Sequence, residues 1–249
     1  MNPNRHPNRL CASGVPVECV NIMSRPNTHP SAIGGDDTAG DSTGARPTNR
    51  RTAAKAARRA DLLTAAARQM AERGYAGVRL EDIGGAVGVS GPAMYRHFSS
   101  KSELLDEMLL DISRRLHSGG LEVVQRGGTP TEILDALIAF HIDVLVTKPD
   151  LITVQDRDLS SLTPQANHEV RRLQRRYVEA WVDVLMEAYG TNNLGREEAR
   201  VRVHAMFGLL NSSPRLPDCA PDRLRRLLTA MAFAALLAPT DADTSTKAP

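Results

Sequence analysis

The fold is decided by residues 74–103, which read GYAGVRLEDIGGAVGVSGPAMYRHFSSKSE. Leu80, Ile83 and Val87 recur at helical spacing, which predicts a short amphipathic helix over this segment. Gly88 favours the left-handed backbone conformation that ends such a helix. The stretch therefore opens with one short helix followed by a tight turn.

A second short helix is expected directly after the turn, from Gly91 to His97. Ser90 is a good N-cap for it, and Pro92 falls in its first turn, where a missing N–H costs nothing. The following sequence SKSE, residues 100–103, is a capping box that opens a third helix. Two helices joined by a tight glycine-containing turn form a helix-turn-helix, whose second helix enters the DNA major groove.

This stretch resembles the DNA-binding signature of the tetracycline-repressor (TetR) family of bacterial transcriptional regulators. The resemblance covers residues 55–112 well and the rest of the chain only in layout. Val78 and Arg79 depart from it, because hydroxyl residues usually begin the second helix, and Gly84 stands where alanine is usual. The positions that match are Ile83, Gly88, Val89, Ser90, Tyr95, Phe98, Lys101 and Leu104.

The residue types of the second short helix predict how it contacts DNA. Arg96 is the expected base reader, because a guanidinium can pair with guanine through two hydrogen bonds. Lys101 is expected to contact a phosphate. Tyr95 and His97 either face the groove or only pack and cap. The predicted DNA-binding residues are Arg58, Arg79, Ser90, Gly91, Pro92, Tyr95, Arg96, His97 and Lys101.

The composition favours an all-α fold. Aromatic residues make up only 4% of the 249 residues, so the core must be built mainly from leucine, alanine, valine and methionine, which favour helices over sheets. The net charge of +2 is uneven. Residues 1–60 hold nine Lys and Arg against four Asp and Glu. This excess of positive charge before the helix-turn-helix is what a DNA-contacting arm requires. Taken without the helix-turn-helix motif, it would indicate a DNA-contacting arm and a solubilising disordered segment equally well.

The sequence pattern predicts about nine helices, and it divides the chain into four segments. Residues 1–49 lack periodicity and are expected to be disordered, as is a short tail over 239–249. Residues 50–100 form the predicted helix-turn-helix domain, and residues 101–238 the helical bundle for ligand binding and dimerisation. The helix after the motif is expected to end near Gly119–Gly120, and Gly127–Gly128 to mark a loop.

The resemblance implies a small-molecule inducer and a homodimer. The predicted pocket residues, each of which has plain core packing as its alternative, are Phe140, His141, Val144, Tyr177 and Trp181. The stretch LITVQDRDLSSL and the following VRRLQRRYVEAWVDVL are similar to TetR-like regulators that respond to acyl-CoA thioesters. The candidates for the CoA phosphates, with a solvated helix face as the alternative, are Arg171, Arg172, Arg175 and Arg176.

Dimerisation is expected through apolar faces of the last two helices, which could instead be intramolecular core. On the first of these helices the face comprises Ala199, Val203, Met206 and Leu210. On the second it comprises Leu224, Leu228, Met231 and Ala235.

Other function classes find little support. The three cysteines lack metal-ligand spacing, and no nucleophile elbow or phosphate-binding glycine loop is present. We therefore expect no enzyme, metal or cofactor, and a cytoplasmic protein without a membrane span.

The predicted function is a ligand-responsive transcriptional regulator, a repressor that binds palindromic operator DNA as a homodimer and is released by an inducer. The alternatives are a ligand-independent architectural DNA-binding protein, or a ligand- or partner-binding protein with a weakened DNA reader.

Overall fold

Nine α-helices and no strand make up the described part of the chain, which in this computed structural model comprises residues 46–190 and 194–239, with residues 46–50 described in the backbone only. The predicted all-α fold is confirmed. The helices are α1 (Arg46–Arg73), α2 (Leu80–Ala86), α3 (Gly91–Met94), α4 (Lys101–Gln125), α5 (Pro130–Thr147), α6 (Pro149–Asp158), α7 (Pro164–Tyr189), α8 (Arg196–Asn211) and α9 (Pro221–Leu236).

Capping residues set several of these boundaries as the sequence predicts. Thr129 opens α5 with a complete capping box, in which its side chain and that of Glu132 exchange hydrogen bonds with the backbone. Thr163 caps α7 in the same way by accepting a hydrogen bond from the N–H of Ala166. Gly74, with φ of 79°, ends α1.

The first helix differs from the prediction at its start. It begins at Arg46, so residues 46–49, predicted to be disordered, are helical. The other residues of the two predicted disordered tails, 1–45 and 240–249, lie outside the described residues, and residue 239 has no regular secondary structure.

The prediction that α4 ends near Gly119–Gly120 is wrong, because the helix continues through both glycines to Gln125. The rings of Phe140 on α5 and Tyr177 on α7 lie against the backbone of Gly119 and Gly120, where a Cβ atom would overlap them. The two glycines therefore permit close helix packing rather than ending a helix. The loop predicted at Gly127–Gly128 is confirmed, with φ of 74° and 131°.

The helix α3 is shorter than predicted. Its regular part ends at Met94, and residues 95–97 continue as a turn. The N–H groups of His97 and Phe98 both donate to the carbonyl of Met94, at 2.8 and 3.0 Å. Phe98 is fully buried and anchors the end of this turn in the core.

One continuous hydrophobic core joins the helix-turn-helix, α2 and α3, to the rest of the helical bundle. It extends from α1 to α9, and the described residues belong to one compact unit. Long helices α4 and α7 pack along each other through the centre, while α6 packs on α1. The small α1–α3 region is thus attached to the bundle through both α4 and α6.

Candidate DNA-binding surface and ligand cavity

The surface of α3 and the turn after it presents two large exposed side chains. Arg96 is exposed, and its side chain forms no hydrogen bond or ion pair with any described residue, while its backbone N–H donates to the carbonyl of Ala93 at 3.2 Å. Tyr95 is 51% exposed, and its hydroxyl donates to Glu81 Oε1 on α2 at 2.7 Å. This hydrogen bond raises the pKa of Tyr95 and lowers that of Glu81. The Arg96 guanidinium therefore remains available, while Tyr95 is held by the preceding helix.

The N-terminal end of α3 is open in the way that the motif predicts. Ser90 occupies the N-cap position, is exposed, and makes no capping hydrogen bond with its side chain. Pro92 is exposed, and Gly91 is half-buried with the side chain of Glu81 close to it. These residues leave the backbone of the first turn accessible.

Sequence reasoning missed Arg59, which positions α3 and the turn after it. We call this segment, residues 91–98, the reader. Its Nη1 donates to the backbone carbonyl of His97, and its Nε donates to Glu107 Oε1 on α4 at 2.7 Å. Its guanidinium also lies 4.0 Å from the centre of the Phe98 ring. One side chain of α1 therefore caps the end of the reader and ties it to α4. The hydrogen bond with Glu107 is the main cause of the raised pKa of Arg59.

The neighbouring Arg58 is much more exposed. Its Nη1 donates to the carbonyl of Val87 at 3.1 Å, and it lies 3.8 Å from Asp61. Arg79 is exposed at the N-cap of α2, where its backbone N–H donates to Asp82 Oδ2 at 3.3 Å. The neighbouring Val78 is fully buried. Arg79 therefore supplies the exposed side chain at the start of α2.

Lys101, predicted to contact a phosphate, and His97, predicted either to face the groove or to pack and cap, both have intramolecular surroundings. The Lys101 ammonium donates to the carbonyls of Tyr75 and Val78 at 2.8 and 2.9 Å and lies 4.3 Å from the Tyr75 ring centre. His97 is half-buried, and its Nδ1 is buried with no hydrogen-bond partner among the described residues. Lys101 thus fastens the loop before α2, because a buried ammonium requires acceptors.

A cavity of about 540 Å³ opens in the helical bundle. Two of the predicted pocket residues, His141 and Tyr177, lie in its wall. Five apolar residues and eight polar ones complete it. The apolar lining is Leu116, Ile152, Leu159, Val178 and Phe207, and the polar lining is Gln155, Asp156, Arg157, Ser160, Arg171, Gln174, His204 and Asn211.

The remaining predicted pocket residues lie outside this wall. Trp181 is fully buried and Val144 is 1% exposed, so both are core. Phe140 packs against Gly119. The prediction rested on their apolar side chains, and in the structure these side chains pack between helices.

Four rings form a cluster between the cavity and the core. His141, Tyr177, Trp181 and Phe207 have ring centres 4.8 to 6.2 Å apart. The Nδ1 atom of His141 lies 3.2 Å from the Tyr177 hydroxyl. Burial lowers the pKa of His141 to about 4 and raises the pKa of Tyr177. Both groups are therefore neutral at pH 7.

Of the four arginines predicted to contact CoA phosphates, only Arg171 lines the cavity. Arg172 pairs with Glu169 at 2.7 Å, and Arg175 and Arg176 are exposed outside the wall. A second cation of the wall, Arg157 on α6, was not among the predicted site residues.

The apolar face predicted on α8 for dimerisation is intramolecular core. Its residues Ala199, Val203, Met206 and Leu210 are all fully buried. The face predicted on α9 is divided, because Leu228 is buried, Leu224 and Ala235 are half-buried, and Met231 is exposed. An exposed stripe remains on each of the last two helices. It comprises Val201, Ala205 and Gly208 on α8 and Leu227, Ala230, Met231 and Ala234 on α9.

The residues that the structure describes contain no group of histidine, cysteine and carboxylate side chains arranged to hold a metal ion. None of their helices combines the length and apolarity needed to cross a membrane.

Comparison with known proteins identifies the family. Residues 62–108 match the model for bacterial regulatory proteins of the tetR family, and residues 127–215 match the model for the tetracyclin repressor-like C-terminal domain. The HTH-type transcriptional repressor KstR2 of Mycobacterium tuberculosis is 30% identical over 148 residues, which are 58% of this chain and 70% of KstR2. The chain belongs to the TetR family of transcriptional regulators.

Solved structures of other proteins share the fold of this chain. A regulator from Bordetella parapertussis aligns with a TM-score of 0.65 and 21% identity, over 72% of this chain and 94% of its own. The structure of AibR in complex with isovaleryl coenzyme A and operator DNA aligns with a TM-score of 0.60 and 20% identity, over 71% and 98% of the two chains. At these identities the likeness establishes the fold.

Proposed function

We propose that this TetR-family chain is a repressor that binds palindromic operator DNA as a homodimer and releases it when a small molecule enters the bundle. The observation that carries the proposal is the position of Arg96. It is exposed and unpaired among the described residues, on a short reader that Arg59 and Phe98 hold rigidly. An arginine so placed is suited to bidentate pairing with guanine.

Membership of the TetR family supports a DNA-binding role, and the name of the relative KstR2 as a transcriptional repressor supports repression. The proposed contacts divide into two kinds. Arg96 reads bases, with Tyr95 beside it, whereas Arg58, Arg79 and the open first turn at Ser90, Gly91 and Pro92 contact phosphates. Lys101 acts indirectly by positioning the loop before α2.

The cavity supports a ligand-responsive function. Its volume of about 540 Å³ lies within the ordinary range of small-molecule sites, and its wall combines apolar side chains with a larger number of polar ones. His141, Tyr177 and Phe207 separate it from the core, so a ligand contacts them directly. We propose an acyl-CoA thioester as the ligand class, a choice supported by the complex of the structural neighbour AibR with isovaleryl coenzyme A.

The homodimer is proposed to form through the exposed stripes of α8 and α9. Val201, Leu227 and Met231 are 67%, 47% and 49% exposed, and Ala205, Gly208, Ala230 and Ala234 between them are small. Small residues let two helices approach closely across a two-fold axis. We place residues 50–100 in the DNA-binding domain and 101–238 in the ligand-binding and dimerisation domain.

The proposed function is tested by measuring binding of Arg96→Ala to operator DNA by fluorescence anisotropy at fixed salt. We expect the substitution to weaken binding by roughly 1–3 kcal/mol and to relax the preference at particular base pairs. Arg68→Ala is the matched control, because Arg68 is an exposed arginine of α1 that pairs with Glu72. Equal binding of both variants and the native chain would refute α3 as the reader.

A further inference from the structure

Arg157 of α6 lies between the ligand cavity and the first helix of the DNA-binding region. It is part of the cavity wall. Its Nη1 donates to the backbone carbonyl of Ala71 at 3.2 Å, and its Nη2 donates to the carbonyl of Met70. It also binds Asp158, with Nε and Nη2 at 3.3 and 3.1 Å from Oδ2. One side chain thus contacts the cavity and α1 together.

The acceptors on α1 are suited to a cation. Met70 and Ala71 belong to the last turn of α1, where the helix dipole is negative. The Met70 carbonyl also accepts a hydrogen bond from the N–H of Gly74 at 2.8 Å. A Cβ atom in place of Gly74 would lie in ordinary van der Waals contact with Arg157 Cζ, at 3.9 Å, so the guanidinium lies directly beside the end of α1. Arg157 therefore fixes the end of α1 onto α6, ahead of the loop that leads into α2.

The donors of this guanidinium are almost fully used. Arginine has five N–H groups. Four of them are engaged, by Ala71, by Met70 and twice by Asp158. A carboxylate or phosphate that binds arginine in the preferred bidentate manner needs two parallel N–H groups. Such an anion in the cavity must therefore take at least one N–H away from Asp158 or α1.

The cavity is suited to a molecule with an apolar body and an anionic group. Its wall includes the apolar side chains of Leu116, Ile152, Val178 and Phe207 and the cationic side chains of Arg157 and Arg171. Arg171 forms no ion pair among the described residues. The acidic residue of the wall, Asp156, is paired with Arg215 at 2.7 Å. The net charge presented to a ligand is therefore positive.

We propose that the anionic group of the ligand competes with α1 for the guanidinium of Arg157, and that this competition transmits ligand binding to the DNA reader. The inference rests on the proposed function and adds the charge of the ligand and the contact through which it acts. Loss of the hydrogen bonds to Met70 and Ala71 releases the end of α1 from α6. By reciprocity, DNA that favours the fixed position of α1 weakens ligand binding by the same factor.

The proposal is tested by hydrogen exchange of residues 70–77 in the full chain. The probes are decanoyl-CoA and sodium decanoate, with 1-decanol as a neutral molecule of similar apolar body. We expect both anions, or the CoA thioester alone if phosphates are the recognised group, to accelerate exchange in the native chain by about tenfold, the scale of one charged hydrogen bond. The alcohol is expected to leave exchange unchanged.

Two variants give the test its contrast. Arg157→Gln is expected to exchange about tenfold faster than the native chain without any probe and to show no further response. Arg157→Lys keeps the charge but loses the planar fork, so we expect partial protection. Arg225→Gln is the matched control, because Arg225 pairs with Asp143 of α5 at 3.1 Å and neither residue lines the cavity.

The proposal is overturned if no anion accelerates exchange in the native chain, if the alcohol acts equally, or if Arg157→Gln and Arg225→Gln behave alike. Anisotropy on operator DNA with the same probes separates this proposal from the proposed function. Equal release of DNA from the native chain and Arg157→Gln would refute the role of Arg157 and keep the regulator. Accelerated exchange without any DNA binding would keep the contact and refute the regulator.

Discussion

At the scale of single residues, the adjacent arginines of α1 differ in their surroundings. Arg59 bonds Glu107 and the carbonyl of His97 and stacks on Phe98, with 29% of its side chain exposed. Arg58 has 48% of its side chain exposed and makes one hydrogen bond, to the carbonyl of Val87. The first arginine supports the fold of the reader, while the second is available to a phosphate.

Substitution of each arginine by glutamine should separate the two roles. We expect Arg59→Gln to lower the free energy of unfolding by about 1–3 kcal/mol, since charged hydrogen bonds are lost and Glu107 is left unpaired. Arg58→Gln should change it by no more than about 0.5 kcal/mol and should weaken DNA binding alone. Urea unfolding followed by circular dichroism measures the difference. Equal stability of the two variants would contradict the positioning role of Arg59.

The spacing of the sequence already contained the signal that was missed. Arg59 precedes Leu62 by three residues and Ala66 by seven, and both of those are fully buried. Arg59 therefore lies on the inner face of α1, where an arginine needs a partner. The identity of that partner could not be predicted, because Glu107 and His97 reach it only through the tertiary packing of α3 and α4.

His141 predicts a pH dependence of stability. Its pKa is lowered by burial from 6.5 to about 4, so the unfolded chain binds this proton more tightly than the folded chain. The contribution to stability is complete above pH 6.5 and is lost as the pH falls from 6.5 towards 4. The full loss is about 3 kcal/mol.

Urea unfolding at pH 7.5, 6.0 and 5.0 measures this dependence. His141→Gln should flatten the slope between these values. His204→Gln serves as the control, because His204 lines the same cavity but is exposed. A slope that survives His141→Gln would assign the dependence to other groups.

At the scale of whole elements, the glycine pair of α4 shows why a helix end was predicted incorrectly. Adjacent glycines favour a helix end when only local propensity is considered. Here Gly119 and Gly120 receive the rings of Phe140 and Tyr177, which belong to helices distant in sequence. The capping residues of α5 and α7 are local to their helices, and for that reason those two starts were predicted correctly.

Alanine at either glycine should destabilise the protein, although alanine is the better helix former. We expect Gly119→Ala or Gly120→Ala to cost about 1–3 kcal/mol, because the added Cβ overlaps an aromatic ring in a packed core. Gly85→Ala on α2 is the matched control, since nothing lies within 4 Å of the added carbon, and it should stabilise by up to about 1 kcal/mol. Thermal unfolding of the three variants compares these effects. Stabilisation by all three would contradict the packing role.

At the scale of the whole molecule, the apolar stripes of α8 and α9 divide between the core and an exposed face. The most apolar stripe of α8, which includes Val203 and Met206, lies in the core of its own chain. The exposed stripe of α8 has smaller side chains, and its apolar residues recur less regularly along the sequence. Periodicity identified both helices, but the face left for a partner depended on how the helices pack on α7 and on each other.

Introducing a charged residue into the exposed stripe of α9 should dissociate the proposed homodimer. We expect Leu227→Glu to convert the dimer to a folded monomer, because a like charge would then face itself across the two-fold axis. Leu216→Glu is the control, since Leu216 is also an exposed leucine, 41% against 47%, but lies outside both stripes. Sedimentation velocity measures the mass of each. A native chain that is monomeric, or a Leu227→Glu variant that remains dimeric, would contradict this interface.

The central claim is that ligand occupancy of the cavity controls DNA binding by α3. Fluorescence anisotropy of the native chain on the intergenic DNA upstream of its own gene, at fixed salt, with and without a panel of acyl-CoA thioesters, tests it most directly. We predict tight, salt-sensitive binding that at least one thioester reverses. Binding no tighter than to random DNA, or tight binding that no thioester disturbs, would contradict the claim.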